Sequence, residues 1–168
     1  MTEVSGLIET DRLATLSVNG SDSLFWDGVA SLYTSFYIWI PLAVAAILLL
    51  IRNISAKRLL LVLLLVAVTV LLTDQLSSSV FKPLFHRLRP GRDPYILNMV
   101  DTVNGYRGGL YGFFSGHAAN SFGMAVLFIW LVRDIRFGLS VLLWAVTNSL
   151  IRVYLGVHFV GDILVGSI

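Results

Sequence analysis

The chain has 168 residues, 57% apolar and 13% charged, with a mean hydropathy of +0.82 and a formal net charge of +2. Soluble domains run at about 45 to 50% apolar and about 25% charged, so this composition excludes an ordinary water-facing globule and reads as a membrane protein. Its length leaves room for about five spans of roughly 20 residues and for no separate soluble domain. The absence of cysteine excludes disulfide scaffolds, thiolate metal sites and thiol nucleophiles. The few basic residues behind a pI near 9.2 lie between apolar runs and do not read as a nucleic-acid surface.

Residues 1–31 form an acidic leader, with Glu3, Glu9, Asp11, Asp22 and Asp27 against Arg12 alone and without the basic and apolar regions of a cleaved signal. Within it Leu24, Phe25 and Val29, with Leu32 just beyond, predict a short interfacial helix. An uncharged run from Leu32 to Ile51 predicts the first span, and Leu59 opens a second that turns polar from Thr73 to Ser79. Three of the four prolines then fall in a long loop, 82–115. A third span is expected from about Gly116 to Val132 and a fourth from Phe137 to about Leu155. A fifth helix opens near His158 and stops at Ile168, about ten residues short of a crossing. The expected fold is an all-α polytopic transmembrane bundle of about five membrane helices, the last truncated, in a single membrane-embedded domain, 1–168. Its oligomeric state is not readable.

Arg52, Lys57 and Arg58 in one short loop, and Arg133 and Arg136 in another, place both loops in the cytoplasm by the positive-inside rule. The long loop and the segment 152–162 then face outward. That side nevertheless carries Lys82, Arg87, Arg89 and Arg92 within eleven residues. Two readings of this cluster stand: snorkelling onto anionic headgroups, or an anion site built from an ammonium and guanidinium groups. Ser115-Gly116-His117, where the third span begins, reads either as a plain N-cap or as a helix terminus that offers N–H groups to an anion. His158 and Asp162, four apart on a helix, read either as a structural ion pair or as an oriented nucleophile, with the carboxylate taking the Nδ1 proton.

Convergence on one side of the membrane favours phosphoryl transfer. Lys82, Arg89 and Arg152 would clamp the nonbridging oxygens, His158 would attack, and His117 would protonate the leaving group. No metal or other cofactor is called for, because the outward-facing carboxylates lack ligand-like spacing.

Lys82-x6-Arg89-Pro90, Ser115-Gly116-His117 and Arg152-x5-His158-x3-Asp162 together resemble the three-part signature of the type-2 phosphatidic acid phosphatase superfamily. The resemblance spans residues 82–162. It implies a metal-independent membrane lipid phosphatase that works through a phosphohistidine, here on His158, with Asp162 orienting it and His117 as general acid. It also implies that Lys82, Arg89, Ser115, Gly116 and Arg152 bind the phosphoryl group. Two positions depart from the pattern: Phe114 stands where the family usually has Pro, and Ile151 where it usually has Ser.

The expected partners are membrane lipids and a lipid phosphate: undecaprenyl diphosphate, phosphatidylglycerophosphate, phosphatidic acid or a lipid A phosphate, with a lean towards a polyprenyl diphosphate or other bacterial lipid phosphate. The expected location is the inner membrane, multi-pass, with the site on the extracytoplasmic side. Headgroup choice is expected in the glycine-rich stretch 92–112. The alternatives are a vanadate-dependent haloperoxidase-like enzyme and a non-catalytic lipid-phosphate binder or transporter. A transport pathway would need polar residues towards the cytoplasmic ends of the spans, and 125–132 has none.

Overall fold

The computed structural model describes residues 2–20, 23–35, 37, 39–41, 44, 48, 51–52 and 54–168. Among these the chain is helical, with no strand and one isolated bridge between Leu88 and Tyr111. The leader folds into α1 (Thr2–Val18) and α2 (Leu24–Thr34). Most of the span expected over 32–51 lies outside the described residues.

The helix α3 (Ala56–Gln75) passes through a π-helical stretch, Leu76–Phe81, into α4 (Lys82–Phe85), making one rod of 30 residues. The loop expected to begin at Lys82 therefore begins after Phe85. Pro83 is tolerated because it follows the widened π turn at the start of a new helical segment, where a missing N–H removes no essential bond. None of the α3 residues is buried within the chain, and leucines such as Leu60, Leu61, Leu64 and Leu71 are exposed, a surface suited to acyl chains rather than water.

The helix α5 (Gly116–Val132) returns, packing on α3 and on α6 (Ile135–Tyr154). The turn between them is closed by Arg133 in the left-handed region (φ 56°) and by Asp134, whose carboxylate accepts the Phe137 N–H at 2.8 Å. The seven-residue α7 (Val160–Gly166) ends the ordered path. Two rods, Ala56–Phe85 and Ile135–Tyr154, are long and apolar enough to cross a bilayer, and Gly116–Val132 is a shorter apolar helix. The count of five is thus not reached among the described residues.

The buried core gathers at one end of the bundle. Ala30, Val103, Leu155 and Val157 form one cluster; Ile96, Val100 and Phe159 a second; Ala118, Val153 and Ile163 a third. All three are built on the segment 153–163, so the end of α6 and α7 are the best-packed part of the molecule. The leader joins this core: Leu16 packs on the second cluster. The Asn19 amide donates to the Asp101 and Tyr154 carbonyls at 2.9 and 2.8 Å, and Arg12 pairs with Asp93 at 3.0 Å. The stretch 92–112 is likewise stitched down, with Arg92 donating to the Gly108 carbonyl at 3.1 Å and Asp101 N–H donating to Asn19 Oδ1 at 2.8 Å.

Candidate active site

The end of α6 delivers Arg152, and the backbone then turns sharply at Gly156 (φ +68°), where a side chain would stand 2.6 Å from Val100 Cγ1. This turn presents His158 just ahead of α7. The imidazole is 2% exposed, with Nδ1 3.3 Å from Asp162 Oδ2, the i,i+4 pairing expected from the sequence. Asp162 is fully buried, and its Oδ2 also accepts the Phe159 N–H at 3.0 Å, while its Oδ1 accepts from Arg87 Nη1 at 2.9 Å. A carboxylate held by three donors has one orientation left. It fixes the proton on Nδ1 and leaves the Nε2 lone pair facing away.

That lone pair faces Arg89, whose Nη1 lies 3.4 Å from His158 Nε2. The same nitrogen donates to the Val157 carbonyl at 3.1 Å, and Nε donates to the Tyr111 carbonyl at 3.2 Å. Burial pulls the Arg89 pKa down from its ordinary 12.5, but a guanidinium remains charged at neutral pH. Burial also pushes the His158 pKa below its ordinary 6.5, against the opposing pull of Asp162, so the imidazole is held in its neutral form, with a lone pair on Nε2.

Arg152 is 7% exposed and its Nε has no hydrogen-bond partner among the described residues. A buried, unsatisfied guanidinium N–H is costly, and it is suited to meeting an anion. Lys82, at the start of α4, interacts electrostatically with Arg89 and Asp162. The charges of Arg152, Arg89 and Lys82 act on His117, in the first turn of α5.

Ser115 caps α5, with Oγ accepting the Ala118 N–H at 3.3 Å, so the capping role is realised; its own N–H donates to the Asp162 carbonyl at 3.0 Å. The first-turn N–H groups of Gly116 and His117 precede the first intrahelical bond, from Ala119 N–H to the Ser115 carbonyl. The structure thus brings all eight residues singled out in the sequence to one end of the bundle. Phe114, the departure before Ser115, is packed against Phe81 with ring centroids 4.9 Å apart. Among the described residues no three His, Cys, Asp or Glu side chains gather to hold a metal ion.

Four contributors escaped the sequence reading. Arg87 was visible only as part of a basic run, because its carboxylate partners Asp162 and Asp11 lie 75 and 76 residues away. Asp11 and Thr15 sit in the leader, where nothing in the local pattern points to the far end of the chain. Ser77, buried in the π-helical stretch, donates to the Phe114 carbonyl at 2.9 Å and holds the approach to Ser115.

The PAP2 superfamily profile matches residues 58–168. The chain is similar to the lipid A 4'-phosphatase of Bacteroides thetaiotaomicron, 40% identical over 163 residues, covering 96% of this chain and 72% of that protein. It is 36% identical over 162 residues to the lipid A 4'-phosphatase of Porphyromonas gingivalis, covering 95% and 68%. Among solved structures, the transmembrane PAP2-type phosphatidylglycerolphosphate phosphatase from Bacillus subtilis shares the fold with a TM-score of 0.66 at 23% identity, over 96% of this chain and 79% of that one. Aquifex aeolicus LpxE does so with a TM-score of 0.65 at 22% identity, over 95% and 87%. With the family matched over most of its length and relatives of this identity, the chain belongs to the PAP2 superfamily and is a membrane lipid phosphatase.

Proposed function

We propose that the chain removes the phosphate of a lipid A-type phosphomonoester through a phosphohistidine on His158, at the extracytoplasmic face of the inner membrane. The observation that carries the chemistry is the His158 imidazole, held at Nδ1 by Asp162 with Nε2 beside the Arg89 guanidinium. Nε2 attacks phosphorus and the bond from phosphorus to the lipid oxygen breaks, while His117 supplies the proton that the leaving alcohol needs. Water then attacks the phosphohistidine, giving its proton to His117 and releasing inorganic phosphate, which restores His158. Lys82, Arg89 and Arg152 hold the nonbridging oxygens, and Ser115 with the Gly116 N–H completes the cradle. The charge on the phosphoryl oxygens is met by three cations and a helix terminus, so the reaction proceeds without a divalent ion.

The lipid A class is supported by identity of 36–40% to two lipid A 4'-phosphatases over nearly the whole of this chain. The side of the membrane is supported by the basic loops at the opposite ends of α3 and α5. The test is phosphate release by purified protein from lipid A, phosphatidylglycerophosphate, phosphatidic acid and undecaprenyl diphosphate, with and without EDTA. Preferred release from lipid A, unaffected by EDTA and lost in His158→Ala, is expected. Full activity of His158→Ala, or its abolition by EDTA in the wild type, would overturn the mechanism.

A further inference from the structure

Asp162 has two oxygens with different tasks. Oδ2 meets His158 and the Phe159 N–H, while Oδ1 meets Arg87. Arg87 does not turn towards the phosphate cradle. Its Nη2 lies 2.5 Å from Asp11 Oδ2, and its guanidinium stacks 4.1 Å from the centroid of the buried Phe159 ring. One N–H of each terminal nitrogen and one face are therefore committed away from substrate.

Asp11 is committed on its other oxygen as well. Its Oδ1 accepts the Gly161 N–H at 2.7 Å, and one turn further along α1, Thr15 Oγ1 accepts the Val160 N–H at 3.1 Å. The residue before α7 is Phe159, which has no side-chain acceptor. Two first-turn donors of the helix that carries Asp162 are thus met by a helix 145 and 150 residues earlier in the chain.

We infer that Arg87 and Asp11 form a positioning pair behind the reacting groups, in a line Asp11, Arg87, Asp162, His158, which locks Asp162 and sets how strongly it pulls on the His158 Nδ1 proton. This inference rests on His158 being the nucleophile. With Asp11 and Asp162 anionic and Arg87 cationic, the line carries one net negative charge. It reaches neutrality when His158 becomes cationic on forming a bond at Nε2, the moment at which positive charge develops. Arg87 shields His158 from the Asp162 charge, and Asp11 offsets that shielding. The other charged or titratable groups facing His158 are Arg89 from the loop, Arg152 from α6, His117 from α5 and, through Asp162, Lys82 from α4. These stay in place when Arg87 or Asp11 is changed.

The signs follow from charge. Removing the Arg87 cation exposes His158 to Asp162 and makes the imidazole more basic; removing the Asp11 anion does the reverse. The chain has three histidines, so ring-nitrogen NMR of labelled protein in detergent can be assigned by single replacement. In Arg87→Gln the His158 titration should move up by about one pH unit, and in Asp11→Asn it should move down. Arg87→Lys, which keeps the charge but not the fork, should titrate near wild type. Arg87→Gln should also lose about 10- to 100-fold in kcat with little change in KM, because the defect is one of alignment.

Titrations in Arg87→Gln and Asp11→Asn that coincide with wild type, or that move in the same direction, would overturn the inference. If Arg87→Gln fails to fold, Asp11→Asn and Arg87→Lys decide by the same readout. The titration is independent of turnover. A fully active His158→Ala would overturn the phosphohistidine reading, while unmoved titrations alongside an inactive His158→Ala would overturn only the pair.

Discussion

A side chain at Gly112 would stand 2.9 Å from Asp162 Oδ2 and 3.6 Å from His158 Nδ1. Glycine here leaves room for the pair that orients the imidazole. The neighbouring oxygen cannot swing aside, because three donors hold its carboxylate. Gly112→Ala should therefore displace Asp162 or push the segment bearing Tyr111 away from Arg89, whose Cγ would stand 3.3 Å from the new side chain, lowering kcat by about 10- to 100-fold for a shift on the order of 1 Å. Steady-state kinetics on protein of wild-type thermal stability checks this; unchanged kcat would mean the loop yields without cost.

The proposed reacting groups were legible as candidates because each is a costly residue at a membrane helix end, and three spacings converge on one side. His158 and Asp162 meet at the expected separation of four, although His158 precedes α7 and it is Asp162, in the first turn of that helix, that reaches back to it. Arg87, Asp11 and Thr15 were not legible, because their partners are set by how α1 docks on α7, a tertiary fact with no local period. The leader's helix α2 was read from its apolar spacing, whereas α1 was not, since its charged residues Asp11 and Arg12 make polar contacts with the loop and with α7 that follow no apolar period. Pro83 misdirected the start of the loop because a π-helical turn absorbs what an α-helix does not.

Asn19 joins the leader to both sides of the site's foundation. Its amide donates to the Asp101 and Tyr154 carbonyls and its Oδ1 accepts the Asp101 N–H. Asn19→Ala leaves these backbone groups without their partner, at a cost of about 1–3 kcal/mol for those shielded from water. A lower thermal midpoint in detergent is expected, with kcat at low temperature close to wild type because no reacting group is touched.

Ser77 bonds the Phe114 carbonyl from inside the π-helical stretch, and a side chain at Gly116 would meet Ser77 Oγ at 3.3 Å. Ser77→Ala removes the donor and releases the segment that sets the α5 terminus. Phosphate binding should suffer first, so KM is expected to rise by several-fold for a loss of about 1 kcal/mol, with kcat less affected. Inhibition by inorganic phosphate should weaken in parallel, and a fall confined to kcat would contradict this role.

The pH dependence of stability isolates the burial of His158. Burial lowers its pKa in the folded protein below the ordinary 6.5, so in the unfolded chain it takes up a proton at a pH where the folded protein does not. Stability is therefore complete above about pH 6.5 and falls as the pH drops from there towards the folded pKa, at up to about 1.4 kcal/mol per pH unit from this group. Replacing the imidazole by a side chain that does not titrate removes this contribution. Thermal midpoints of wild type and His158→Gln should therefore keep a constant difference above pH 7, and the difference should shrink or reverse below pH 6. A constant difference throughout would mean that His158 titrates alike in the folded and unfolded chains and is not held neutral by its surroundings.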